Sequence, residues 1–390
     1  MHPSSLERTV AKNGFRIFDS DIHIVEPADL FENHLEAPYR DRMPRVQRSD
    51  VTGVDTWVID GRPFPIWNEW PEFAAANARL TERKAGAPLQ VKAFERGFDA
   101  ATTLEAMDAE GVDATALFRT IGGTGIIGMD GLGDEYATAL CRAYNDWLAS
   151  YCAADPSRLK GVALLPLQSV DMAIEEARRA VNELGFVGVT VHCEPVDGHM
   201  LHDARMEPLW SELERLNAPL CLHGTSTAPG ELDVSRKFLR HPAARTLTHT
   251  VAFPMQIMGA FAGLALSGAL ERHPRLRVAL LEANCSWLPW FLYRLDDQQR
   301  KYNDSPLPQP PSAYFHRQCV VSMEADEALA LEALPHLGPD HLVVSTDYPH
   351  PDSGFPHVMD EFFEMELSDD ARKRILWDNC IWLYGLEGKL

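Results

Sequence analysis

Two short strings could do chemistry together: Asp21-Ile22-His23 near the start of the chain and Asp347-Tyr348-Pro349-His350 near its end. Carboxylates and imidazoles are side chains that hold divalent cations. Each string closes an apolar run that reads as a buried strand. Residues two apart on a strand share a face, so Asp21 and His23 point into the same space. Strands from opposite ends of a chain become neighbours where a sheet closes on itself, and the two strings therefore predict a metal site in a closed barrel.

The elements that must position these residues are readable along the chain. Apolar runs, most of them rich in Val, Ile and Leu, fall at 16–23, 114–120, 161–166, 187–192, 219–223, 277–282, 319–323 and 341–347. Between them lie helical patterns, clearest at 134–151, 171–184, 206–217, 255–270 and 369–383. Strands alternating with helices predict an α/β fold, the (β/α)8 TIM barrel. Such a barrel takes about 250 residues, which leaves roughly 140 of the 390 for tails and long loops. Most of that surplus lies in 27–107, which carries Trp57, Trp67 and Trp70 among prolines. It reads as a cap inserted after the first strand of a single domain spanning 1–390.

Composition narrows the function classes. The chain is 45% hydrophobic and 24% charged, with a net charge of -21. That balance excludes a nucleic-acid partner and an anionic membrane surface, because both reward clusters of Lys and Arg. It favours a small-molecule substrate. No run approaches the roughly 20 apolar residues of a membrane span, and 1–16 lacks a signal-peptide core, so a cytoplasmic location is expected. The seven cysteines are odd in number and contain no CxxC pair, which predicts reduced thiols packed as small apolar groups.

In a barrel of this kind chemistry sits where the strands end. Strand one delivers Asp21 and His23, strand four His192, strand five His223, strand six Glu282 and strand eight Asp347. Any one of these alone would read as a hydrogen-bonded structural group, but five strand ends together do not. Burying so many ionisable groups without a cation would cost several kcal/mol each. Ligands without thiolate suit zinc, iron or manganese and do not choose among them. Asp21, His23, His223 and Asp347 can hold one ion. His192 and Glu282, with a shared His223 or with His202 from the loop after strand four, can hold a second.

On these residues the chain resembles the amidohydrolase-related metal enzymes, in the branch that includes aminocarboxymuconate semialdehyde and resorcylate decarboxylases. The likeness runs from about residue 15 to 386. It is carried by the Asp21-Ile22-His23 opening with Glu26-Pro27, by Leu159-Lys160-Gly161-Val162-Ala163-Leu164-Leu165-Pro166, by His223-Gly224, by Glu271-Arg272-His273-Pro274-Arg275-Leu276, and by Ser345-Thr346-Asp347-Tyr348-Pro349-His350. The resemblance puts Asp21, His23, His223 and Asp347 on metal-ligand positions, with Asp21 where His or Glu is common. Departures matter as well. The decarboxylases of this branch carry a proton-handling histidine after strand six, where this chain has Leu281-Glu282-Ala283-Asn284-Cys285. His192 and His202 add imidazoles where relatives lack them.

A dinuclear site of this kind is similar to that of the nonheme diiron monooxygenases of diterpenoid antibiotic biosynthesis, of the platensimycin and platencin type. That resemblance implies an oxidoreductase with two Fe(II) ions, bound by Asp21, His23, His192, His202, His223, Glu282 and Asp347. It further implies O2 and an external electron donor as partners, a bulky diterpenoid substrate linked to coenzyme A, and a homodimer. Two alternatives stay open. One is a hydrolase of an ester, amide or lactone with one or two zinc or manganese ions and Glu282 as base. The other is a non-oxidative decarboxylase in which His249 or His350 handles the proton. Glu26 either anchors the first loop or orients a metal-bound imidazole. His350 and Asn284 are candidates for substrate contact, and Trp287 and Trp290 read as core or, less readily, as pocket wall.

Overall fold

The computed structural model describes residues 11–69, 75, 88–226, 229–305 and 307–390. Strand β1 (Phe18–His23) is buried at every residue. Three short strands follow in the insertion, β2 (Arg45–Arg48), β3 (Asp55–Ile59) and β4 (Arg62–Phe64), paired antiparallel in the order β2-β3-β4. Then come β5 (Ala114–Phe118), β6 (Leu159–Leu164), β7 (Gly188–Val191), β8 (Leu220–His223), β9 (Val278–Leu281), β10 (Cys319–Glu324) and β11 (Leu342–Ser345). These seven and β1 form one parallel sheet in the order β1-β5-β6-β7-β8-β9-β10-β11, the TIM barrel expected from the alternating pattern. The seam between β11 and β1 is bridged by side chains. Ser20 Oγ donates to Val344 O at 2.8 Å, Ser345 Oγ donates to Asp21 O at 3.1 Å, and at the last residue of β1 the backbone joins in, His23 N donating to Tyr348 O at 2.7 Å.

Strands covered on both faces must be apolar on both. Phe18, Ala116, Phe118, Val162, Cys221, Ala279, Leu281, Val320 and Val343 fill the barrel interior. Their alternates, such as Leu117, Val189, Val191, Leu222, Leu280 and Val344, pack under the helices. The outer helices include Asp134–Cys152, Val170–Asn182, Glu207–Leu216, Phe253–Leu266 and Leu288–Tyr302. Their boundaries follow local chemistry: Ser169 caps Val170–Asn182 by accepting from Met172 N, and Asn217, in the left-handed region, ends Glu207–Leu216. The seven cysteines are buried.

Three findings differ from the sequence reading. The insertion contains an antiparallel sheet, which packs on helix Ile121–Gly128 beside the barrel mouth: a Cβ at Gly125 would sit 2.6 Å from Ile59 Cδ1 and 2.7 Å from Phe64 Cδ1, so only glycine allows this approach. Trp57 is buried in that packing, whereas Trp70 lies outside the described residues. Trp290 is 60% exposed and is not core. Finally, the continuous helical run Ala244–Leu266 is 23 residues long with a mean hydropathy of 1.3, long and apolar enough by composition to cross a membrane. In the fold it turns Phe253, Ile257, Phe261 and Leu264 into the core.

Candidate metal centre

A register irregularity in β1 decides which side chains reach the mouth. Phe18 faces the barrel interior, so strict alternation would send Ser20 and Ile22 after it. The pairing with β5 shifts between Asp19 and Ile22, and this bulge turns Asp21 and His23 inward while Ile22 joins the outer core. From β8, His223 shares the face of interior Cys221. Glu282 follows β9 directly and Asp347 lies two residues beyond β11, with φ of 52° and 55°. Both occupy the left-handed region that non-glycine residues avoid, as does Asn284 at 57°. Backbone strain at two adjoining carboxylates marks a functional site.

The side chains converge. His223 Nε2 lies 2.7 Å from Glu282 Oε2 and 3.3 Å from Asp21 Oδ2, while His23 Nε2 lies 3.1 Å from Glu282 Oε2, 3.4 Å from Asp347 Oδ1 and 3.6 Å from Asp21 Oδ1. Both imidazoles are anchored from behind: His23 Nδ1 is 2.6 Å from Arg119 O and His223 Nδ1 is 2.7 Å from Gly224 O. A carbonyl only accepts, so each Nδ1 carries the proton and each Nε2 is left to face the centre. The two Nε2 atoms stand 3.1 Å apart. Asp21 Oδ1 and Oδ2 are buried without hydrogen-bond partners. Burial lowers His23 to about 4 and raises Asp347 to about 8, yet on equally buried His223 the charges of Asp21 and Glu282 prevail over burial and raise it to about 10. The site demands positive charge. Asp21, His23, His223 and Glu282 form one group able to hold a cation, and His23, Glu282, Asp347 and His350 form an overlapping second.

The cluster floors a cavity of about 240 Å³, whose wall includes Arg119, Arg245, Ser226, His249 and His350. A neighbouring recess of about 540 Å³ shares His249, Phe253 and Glu282 and adds Asn284, Glu324 and Asp352. His350 Nδ1 pairs with Asp347 Oδ1 at 2.8 Å, and its ring lies over that of His23 at 3.9 Å between centroids. Asn284 lines the recess.

Glu26 takes the anchoring role rather than the metal-orienting one. Its Oε1 accepts from Thr120 N and Gly123 N, and its Oε2 from Gly122 N, so it caps the N-terminus of helix Ile121–Gly128. Two expected ligands stay outside both clusters. His192 does face inward, but it is buried beneath Gly128, and its nearest carboxylate is Asp233 from the loop after β8, with Oδ2 3.4 Å from its Nε2 and no hydrogen bond between them. His202 is exposed and packs over Gly263 on the outer helix, because the loop after β7 runs across the surface there. The sequence reading missed Arg119, Arg245, Asp233 and Asp352. Only Arg119 gave a signal, as a cation at the end of a predicted strand.

Comparison with known proteins follows this geometry. The amidohydrolase family model matches residues 19–386. Gamma-resorcylate decarboxylase of Rhizobium sp. (strain MTP-10005) is 30% identical over 298 residues, 74% of this chain and 87% of that one. The enzyme of the same name from Rhodococcus jostii (strain RHA1) is 33% identical over 267 residues, covering 65% and 78%. A dihydroxybenzoic acid decarboxylase from Polaromonas sp. JS666, solved with bound manganese and the inhibitor 2-nitroresorcinol, superposes with a TM-score of 0.68 at 21% identity over 96% of this chain and 98% of that one. An amidohydrolase from Mycobacterium avium subsp. paratuberculosis reaches 0.76 at 18% identity, covering 96% and 100%.

These relatives overturn the expectation of oxygen chemistry. They are decarboxylases and amidohydrolases, so the reading as an iron-dependent oxidoreductase, a monooxygenase of antibiotic diterpenoid biosynthesis, is corrected. The pair of Fe(II) ions loses its support too, since His192 and His202 stand apart from the carboxylate cluster. A family model that runs from the first barrel strand to the helix beyond the last places this chain in the amidohydrolase family.

Proposed function

We propose that the protein is a metal-dependent, non-oxidative decarboxylase of a small hydroxylated aromatic carboxylic acid. Asp21, His23, His223, Glu282 and Asp347 would hold one divalent ion, with manganese favoured by the solved relative that contains it and zinc the alternative. A bound divalent ion supplies an electrophile for the oxygens of the substrate. One observation carries the reading: Glu282, with His23 and His223 of the carboxylate–imidazole cluster, and the two guanidinium groups of Arg119 and Arg245, which attract an anion, line the same cavity. At about 240 Å³ the cavity falls below the roughly 300 Å³ at which drug-sized pockets begin, a volume suited to a single ring.

The chain's own groups then divide the work. Arg119 is buried and its Nε has no partner, and Arg245 reaches Ser226 Oγ at 3.3 Å while lining the same wall, so both are placed to hold a carboxylate or phenolate oxygen. Phe253 and Ile121 supply apolar walls that exclude water from the scissile carbon–carbon bond. Gln90, from the insertion, donates to Pro349 O at 3.3 Å, which ties 27–107 to the loop after β11 and supports its reading as a cap.

The test is CO2 release by manganese-loaded protein from a panel of hydroxybenzoates and 5-carboxyvanillate. Release abolished by a chelator and restored by manganese is expected. Fully loaded protein that releases no CO2 from any member, yet hydrolyses esters or lactones, would overturn the proposal in favour of a hydrolase.

A further inference from the structure

Replacing CO2 by hydrogen on a carbon needs a proton carrier at the substrate, and a side chain free of the cation cluster is the simplest candidate. Most histidines around the cavity are occupied. His23 and His223 each have Nδ1 on a carbonyl and Nε2 in the carboxylate cluster, and His350 is paired with Asp347. His249 differs. It lines both the cavity and the adjoining recess, belongs to neither candidate ligand group, and its Nε2 is buried without a hydrogen-bond partner.

The ring is also held in orientation. His249 lies in a π-helical turn, Thr248–Ala252, a distortion that recurs at functional sites, and this turn leads directly into Phe253. The two rings stack at 4.8 Å between centroids with 28° between planes. Its Nδ1 faces Asp352 Oδ2 at 3.5 Å, and the same oxygen faces Arg245 at 3.5 Å. A carboxylate on Nδ1 keeps the proton there and leaves Nε2 as the working atom.

We infer that His249 is the proton carrier of this active site and that Asp352 is its positioning residue. The inference rests on the decarboxylase reading above. Nε2 takes the proton from the substrate hydroxyl ortho to the carboxylate, breaking the O–H bond, and delivers it to the ring carbon that bears the carboxylate. The carbon–carbon bond then breaks, its electron pair returns to the ring, CO2 leaves, and the phenolate regains a proton from solvent. A neutral imidazole is required at the start, and burial lowers His249 to about 4, with Arg245 and His350 acting the same way and Asp352 and Glu282 opposing.

The test uses the manganese-loaded full chain with 2,6-dihydroxybenzoate for turnover, resorcinol in D2O for ring C–H exchange, and 2-nitroresorcinol for binding. H249Q is expected to keep its manganese and its affinity for 2-nitroresorcinol while losing about 10²- to 10⁴-fold in kcat, and the deuterium exchange with it. D352N is expected to move the acidic limb of the pH–rate profile to lower pH, since Arg245 then stands unopposed. An H249Q variant that turns over and exchanges at the wild-type rate, or that loses its manganese, overturns the inference. Wild-type protein that neither releases CO2 nor exchanges deuterium refutes the decarboxylase reading and this inference with it.

Discussion

Replacing Glu282 with Gln keeps the side-chain volume and removes one negative charge from the centre. Glu282 Oε2 is the carboxylate oxygen closest to both anchored imidazoles, 2.7 Å from His223 Nε2 and 3.1 Å from His23 Nε2. Groups one step further from an ion already change metal affinity by about 10- to 100-fold, so loss of this ligand is expected to cost at least about 100-fold. Binding stabilises the fold by about 2.7 kcal/mol when free metal is 100 times Kd, and by about 0.4 kcal/mol when it equals Kd. With about 2.1 cal/mol/K per residue, the unfolding entropy of a 390-residue chain is about 0.8 kcal/mol/K. Manganese at 100 times the wild-type Kd should then raise the wild-type Tm by about 3 °C and that of E282Q by about 0.5 °C. Differential scanning fluorimetry across a manganese titration, with elemental analysis of the dialysed proteins, measures both. An E282Q protein that retains manganese and the full shift would show that the ion is not held at this cluster.

Arg245→Met preserves much of the aliphatic stem but removes the charge on the cavity wall. Its expected signature is a KM for the carboxylate substrate raised about 10- to 100-fold with metal content unchanged, as the loss of a charged hydrogen bond worth about 1.5–3 kcal/mol requires. Glu194 is held up at about 7, above its ordinary 4.5, by burial and by Asp233. The folded chain therefore binds this proton more tightly than the unfolded one. The stability it brings is complete below about pH 4.5 and is lost as pH rises through about 7. Urea midpoints at pH 5 and pH 8 should fall less with rising pH in Glu194→Gln than in wild type, and equal slopes would refute the assignment.

The barrel was legible because parallel strands covered on both faces must be apolar runs, and each of the eight predicted runs contains an observed strand or most of one. The carboxylate–imidazole cluster was legible for a related reason: Asp21, His23, His223, Glu282 and Asp347 are polar where such runs end. His192 shows the limit. Its strand and its inward face were right, but whether an inward imidazole joins a cluster depends on what the next loop brings, and here Asp233 meets it first. Loop paths also brought Arg245, His249 and Asp352 together, from segments with no periodicity linking them. Arg119 was passed over because a guanidinium makes no sense as a ligand, although it makes sense beside one for holding an anion. The expected chemistry failed for a different cause: imidazole and carboxylate ligands serve manganese and zinc as well as iron, so ligand type could not separate decarboxylation from oxidation.

The seam between β11 and β1 has a consequence for how the protein is made. Ser345 and Asp21 are 324 positions apart, and they meet only after every intervening strand has been laid down. The carboxylate–imidazole cluster straddles that junction, since Asp21 and His23 stand on one side of it and Asp347 on the other. A nascent chain released from the ribosome without its last strand would keep only part of the ligand set. A fragment lacking β11 would lack Asp347 as well, and with it any stabilisation that a bound cation would confer on the finished barrel.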